Sequence, residues 1–375
     1  MTNHLLEIEN EAQALSLLKT HEGVIRNVAF QDIDFTQIAE EAENHTYSDC
    51  LFLGCEMSSK MLELIGRSSS VFPQLNKPFK SFRSELYNAD TLYEGYELGN
   101  PNSFESTFDQ RVYKHYIENG KEASDISETL ARSMHDHSIS DAMGDFLKNF
   151  DERKVVSVMG GHGLKRTDPA FRQVAIISKK LTESGILMVS GGGPGAMEAT
   201  HLGAWMAGRS EAELDEAISM MSPWPSYTDE LWFDSVMQVR HRFPNPKYVS
   251  LGVPTYLYGH EPSTPLATHI AKYFTNAIRE DDILTIAKGG VIYSPGSAGT
   301  LQEIFQDAVQ NHYLSFGYSS PMVFLNKDFW TNEMPIFPLL EHLVGKNKYK
   351  NLLLSLCDEP DEVAKAILDF SNQNC

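Results

Sequence analysis

Two short stretches of the chain put small residues directly ahead of groups that could bind an anion and steady a cation. They are SGGGPGAM at residues 190–197 and SPGSAGTLQE at residues 294–303. A helix begins with backbone N–H groups that have no intrahelical partner and with a partial positive charge. Phosphate binds there when no side chain blocks its approach. Glycine removes the block, so Gly191, Gly192, Gly193, Gly195 and Met197 of the first stretch, and Gly296, Ser297, Ala298, Gly299 and Thr300 of the second, are candidate substrate-binding residues. A third loop, MGGHG at 159–163, adds Gly160, Gly161 and His162. One such loop can answer only a need for positive φ. Three on one predicted sheet edge point to a ligand.

Glu303 lies three residues after Thr300. That spacing has two readings: a capping box closed by Thr300 and Glu303, or a carboxylate one turn inside the helix. The second could hold ribose hydroxyls and stabilise an oxocarbenium-like centre. The complementary cation is Arg279, on the predicted helix before the strand that feeds this loop; its alternative is an exposed ion pair with a neighbouring acid. His162 and the stretch YGHEP at 258–262 are lesser candidates. His135 and His137 in MHDH are spaced i, i+2 and diverge on a helix, so no metal is expected.

Other phosphate chemistries fit less well. GGGPGA at 191–196 formally matches a dinucleotide fingerprint, but it follows the second predicted strand, and the acids after it lie in a helical stretch. No Walker loop is present, which argues against triphosphate chemistry.

The elements that must carry these loops are regular from about residue 146. KVVSVMGGHG reads as a strand ending in glycines. PAFRQVAIISKKLTESG reads as a helix with Pro169 near its start and Gly185 past its end. ILMVSGGGPG, YVSLGVPTYLY, GGVIYSPGSAG and SPMVFLN supply further buried strands, with helices between them. Strand and helix alternating in this way give a parallel sheet covered by helices, with ligands at the carboxyl ends of the strands. The expected class is therefore α/β: a Rossmann-like doubly wound parallel sheet over 146–375, with a mixed, mainly helical accessory region over 1–145. In that first region CLFLGCEM is the one apolar run that suits a strand, and no internal repeat is evident. The turn-rich, aromatic stretch from Tyr87 to Gly120 is expected to be irregular and packed on its neighbours.

Composition narrows the partners. With 51 acidic and 31 basic side chains the formal charge is -20, which repels nucleic acid and anionic membranes. The four cysteines have no metal-like spacing, and no apolar run approaches a membrane span of about 18 residues. A reduced, cytoplasmic protein with a small-molecule pocket is expected.

Taken in order, SGGGPGAM and SPGSAGTLQE resemble the pair G-G-G-x-x-G-x-M and P-G-G-x-G-T-x-x-E that marks the LOG family, often labelled lysine decarboxylase-like. The combination with GGH is similar to the longer bacterial pyrimidine/purine nucleotide 5′-monophosphate nucleosidases. The likeness covers roughly residues 150–330. It implies an N-glycosidase that hydrolyses nucleoside 5′-monophosphates to free base and ribose 5-phosphate. It also implies no cofactor, catalytic roles for Arg279 and Glu303, and a homodimer or higher homo-oligomer. The alternative is a nucleotide-binding sensor that uses the same pocket without hydrolysis. Decarboxylation is not supported, because no lysine that could carry pyridoxal lies in the three glycine loops. This chain departs from the family pattern at Ser297, where a second glycine is usual, and at Glu280, where an Arg-Lys pair is usual.

Overall fold

The structure is a computed structural model that describes residues 5–123, 125–244 and 246–373, so Cys375 lies outside the described residues. The chain divides into two compact units, Met1–Leu86 with Lys114–Phe146, and Tyr87–Tyr113 with Leu147–Cys375. The aromatic stretch is thus shared: its first part, to Tyr113, belongs with the second unit.

The first unit contains more strand than the single apolar run announced. Strands β1 (Leu6–Ile8), β2 (Val24–Arg26), β3 (Val28–Gln31), β4 (Thr46–Ser48), β5 (Leu51–Leu53) and β6 (Ser70–Phe72) form two parallel sheets, β1-β3-β5-β6 and β2-β4. Leu6 faces Val28, Val24 faces Thr46 and Ala29 faces Leu51, each 22 positions on, so the chain winds as a short solenoid. Its corners repeat as well: Asn27 and Asp49, and then Asp32 and Gly54, hold positive φ at matching places. Phe30 and Phe52 stack in the core that the coils enclose, and Phe35 and Tyr47 meet them edge-on. The repeat escaped the sequence because strands of three or four residues are too short to show a period of two. The rest of the pattern lies in backbone conformations that Asn, Asp and Gly all adopt. The helix Ile126–Leu147 is the longest of the helices that accompany these strands.

In the second unit β7 (Val155–Met159), β8 (Leu187–Ser190), β9 (Ser250–Gly252), β10 (His269–Ile270), β11 (Gly290–Tyr293), β12 (Pro321–Leu325) and β13 (Leu353–Cys357) form one sheet in the order β10-β9-β8-β7-β11-β12-β13. Every pair is parallel. β7, β8, β11 and β12 are buried at every residue, which is why they read as unbroken apolar runs. The sheet grows outward from β7 on one side and from β11 on the other. The winding reverses between those two strands, and the crevice outside their carboxyl ends is where a doubly wound sheet binds its ligand.

Two segments brace this sheet from outside it. Tyr87 exchanges backbone hydrogen bonds with Ile270, at 3.0 and 2.7 Å, and Asp109 pairs with the buried Lys272. The helices Glu211–Met221 and Trp232–Arg242 form the insertion after β8. Asp234 on the second of them accepts hydrogen bonds from the Tyr96 hydroxyl, the Gly99 N–H and Gln238. Among the described residues no helix is long and apolar enough to cross a membrane.

Candidate functional site

The loops after β7 and β11 are joined by backbone. Ser294 N–H donates to the Met159 carbonyl at 2.9 Å, and Gly161 N–H donates to the Pro295 carbonyl at 3.0 Å. The loop after β8 closes on the first through Ala196 N–H to the Gly161 carbonyl, at 3.3 Å. This convergence leaves no room for side chains at the crossings. A Cβ on Gly160 would sit 2.8 Å from the Ala196 Cβ and 2.9 Å from the Ser294 Cβ. Gly195 has φ +71, and a Cβ there would collide with the Gly161 carbonyl, so that position is closed to other residues on two counts. The Ser294 hydroxyl, fully buried beside Gly160, has no hydrogen-bond partner.

The helix Ala298–Tyr313 starts at this junction with Ser297 as its N-cap residue and no side-chain capping bond. Thr300 is already inside the helix, so the capping-box reading of Thr300 and Glu303 does not hold. The first N–H groups therefore stay open to a ligand beside Ser297, Gly299 and Thr300, all of which line the pocket.

That pocket has a volume of about 220 Å³ and brings together Gly160, Gly161, His162, Met197, Arg279, Ser297, Gly299, Thr300 and Glu303. Gly191 and Gly193 line an adjoining recess of about 40 Å³, whereas Gly192, Gly195 and Gly296 line neither and serve the turns, and Ala298, which also lines neither, opens the helix. The main pocket is smaller than the roughly 300–1,000 Å³ that encloses a drug-sized ligand, so a ligand of that size extends beyond it toward the opening.

Arg279 is not an exposed helix charge. It is 8 % exposed, on the helix Asn276–Thr285, and its Nε donates to the Val253 carbonyl at 2.7 Å. Its guanidinium lies against Gly191, where a Cβ would collide with Nη2. Burial pushes the partly buried Glu303 carboxyl up to about 7; the Arg279 charge opposes that rise, and Glu280 adds to it. Glu280 is held in place by Asn276 at 2.7 Å and Gln302 at 2.7 Å. His162 is mostly exposed, with Nε2 4.0 Å from Glu261 and its ring edge-on to Tyr227.

Three further residues stand out here, two of them from a stretch the sequence offered as a lesser candidate. Tyr258 and Glu261 line the pocket, and both fall in the YGHEP stretch that was ranked low. The third, Asp307, lies one turn below Glu303, buried, accepting from the Tyr293 hydroxyl at 2.7 Å and from Asn311 Nδ2 at 3.1 Å. The i, i+4 spacing of Glu303 and Asp307 was the available signal. Arg166, in the loop after β7, is structural: it pairs with the buried Glu198 and bonds Ser235 and the Trp232 carbonyl, tying the insertion to the loop. His201 bridges Ser190 at 2.8 Å and Ser250 at 2.9 Å. Burial pushes it down to about 3, so it links β8 and β9 as a neutral ring. In the first unit, His135 is buried and His137 is exposed.

Asp307 gives a stability prediction with a definite sign. Burial raises its carboxyl to about 7, while the Tyr293 hydrogen bond opposes the rise. The folded chain thus keeps a proton that the unfolded chain has released above about 4, and stability declines as pH rises from there through about 7. Asp307→Asn retains an acceptor for Tyr293 and removes the titration. From pH 5 to pH 8 the variant is expected to lose less stability than the wild type, by on the order of 2 kcal/mol, read from denaturant midpoints. Parallel pH dependences of the two proteins would show that Asp307 carries no buried proton.

No family model matches the chain, and no curated protein matches it. Among solved structures it is similar to a molybdenum cofactor binding protein from the phototrophic bacterium Rippkaea orientalis. The two are 13 % identical over 57 % of this chain and 95 % of that one, with a TM-score of 0.35. It is also similar to the molybdenum cofactor carrier protein of Chlamydomonas reinhardtii, 14 % identical over 58 % of this chain and 97 % of that one, with a TM-score of 0.36.

Proposed function

We propose that the second unit binds nucleoside 5′-monophosphates and hydrolyses their N-glycosidic bond, releasing free base and ribose 5-phosphate in the cytoplasm. The observation that carries this reading is the meeting of three glycine-lined loops over an uncapped helix N-terminus at the switch point, with Glu303 and Arg279 in the same pocket. The phosphate rests on the open N–H groups beside Ser297, Gly299 and Thr300. Glu303, in its ionised form, accepts hydrogen bonds from the ribose hydroxyls and faces the positive charge that develops at C1′. As the bond from C1′ to the base breaks, its electron pair goes to the base nitrogen. Water forms the new bond to C1′, and its proton ends on the departing base. Arg279 favours the ionised form of Glu303 against the effect of burial and contributes positive charge toward the phosphate. The reading includes a homodimer or higher homo-oligomer, as the family resemblance implies.

The test is incubation of the purified full chain with a panel of nucleoside monophosphates, with chromatographic detection of base and ribose 5-phosphate. Release of base from at least one of them is expected, and no release from any overturns the hydrolytic reading. The sensor reading draws on Glu280, which adds a negative charge beside Glu303 where the resemblance leads one to expect a cation. Tight nucleotide binding without base release is its signature.

A further inference from the structure

The pocket holds a carboxylate that the proposed reaction leaves unused. Glu261 follows the short helical turn Tyr256–Tyr258, and its side chain is only 14 % exposed. It lines both the main pocket and the adjoining recess, together with Tyr258 and Met197. Its ion-pair neighbours are His162 Nε2 at 4.0 Å and His260 Nε2 at 3.9 Å, both beyond hydrogen-bond distance. Among the described residues no hydrogen bond ends on its carboxylate. A carboxylate accepts hydrogen bonds and offers two oxygens side by side, so a ligand that brings two adjacent donors into the pocket can engage both at once.

We infer that Glu261 reads the base of the bound nucleotide and selects guanine. This rests on the nucleotide reading above and specifies its substrate class. Guanine carries N1–H and an N2 amino hydrogen side by side on one edge, and a carboxylate accepts both at once. Hypoxanthine offers only N1–H there. Adenine and cytosine set a ring-nitrogen lone pair beside their amino group, which faces the carboxylate with repulsion. Uracil has a single N–H between two carbonyls. The half-exposed Tyr258 ring and the Met197 thioether supply apolar and polarisable surface for a purine plane. Specificity then comes from leaving the wrong base with an unpaired acceptor rather than from a tighter fit.

The experiment is calorimetric titration of the full chain with GMP, IMP, AMP and ribose 5-phosphate, in the wild type and in Glu261→Gln. GMP is expected to bind about 10- to 100-fold more tightly than AMP, with IMP between them. Glutamine keeps the shape but presents one acceptor and one donor, so the GMP-to-AMP ratio is expected to fall to within about threefold of unity. Tyr258→Ala lowers the affinity of all three nucleotides and preserves their ratios, which separates stacking from edge reading. Equal GMP and AMP affinity in the wild type, or a ratio unchanged in a Glu261→Gln protein that melts like the wild type, overturns Glu261 as the base reader and leaves the nucleotide reading standing. Equal GMP and AMP affinity in the wild type overturns the proposal even where the variant does not fold. If none of the four ligands binds, both inferences fall together.

Discussion

Glu303→Gln is expected to lower kcat/KM for base release by about 10³-fold, or about 4 kcal/mol of transition-state stabilisation. Glutamine preserves the size and one acceptor of the side chain, so the loss measures the charge rather than the packing. The wild-type pH profile supplies an independent readout. Burial holds the Glu303 carboxyl at about 7, raised from the usual carboxylate range, so below that point most molecules carry it protonated. Activity needs the ionised form, and kcat/KM is expected to climb about tenfold per pH unit up to about 7 and then level off. The variant loses this limb. A variant with unaltered turnover, or one that keeps the same ascending limb, shows that the charge at residue 303 is not the stabiliser.

The second large effect falls on Arg279. Its guanidinium opposes the burial that keeps Glu303 protonated, and its Nε is fixed to the Val253 carbonyl at 2.7 Å. Arg279→Met removes the cation while filling a similar volume. At pH 7 kcat/KM is expected to fall by about 10²- to 10³-fold, because the phosphate loses a positive neighbour and Glu303 stays protonated. The second of these causes is reversible. The ascending limb of the pH profile is expected to move to higher pH, and part of the activity returns near pH 9. Arg279→Lys restores charge without the planar fork or the Nε donor, and falls between the two. If Arg279→Met loses activity with its pH limb unmoved, Arg279 acts on the phosphate or the fold alone and not through Glu303.

The parts of the fold legible in the sequence are those with long, repetitive physical signals. β7, β8, β11 and β12 are buried on both faces, so their apolar runs are unbroken. The helix Pro169–Glu183 has a proline at its first position and Gly185, at φ +84, just past its end. Such signals hardly depend on what lies next to them in space. The solenoid of the first unit is the opposite case. Its strands are three or four residues long, and its 22-residue repeat is carried by corner conformations at Asn27, Asp49, Asp32 and Gly54 that share no letter pattern.

The candidate site divides along the same line. The glycine loops were visible because chain thinness has a direct letter code. Glu303 and Arg279 were visible as residue types at a spacing, but each had a commonplace alternative there. Their surroundings remove those alternatives: Ser297 rather than Thr300 is the N-cap residue, and Arg279 is buried against Gly191 rather than splayed on a helix surface. Asp307 was not legible as a buried acid, and Glu261 was legible only as part of the lesser candidate stretch YGHEP. A carboxylate in a sequence is taken for a solvated one, and only packing takes these out of water, below Glu303 in one case and between two lobes of a pocket in the other.

By itself, then, the sequence determined the α/β class, the parallel order of strand and helix, and three loops thin enough to admit a phosphate. These follow from local periodicity and from the absence of side chains. Only the tertiary structure decided which loops meet: β7 and β11 lie side by side although more than 130 residues separate them, and the loop after β8 closes on theirs. It also decided which acids keep a proton near neutrality, because burial depends on neighbours distant in the chain. Glu303 and Asp307 are ordinary carboxylates until the sheet and its covering helices take them out of water.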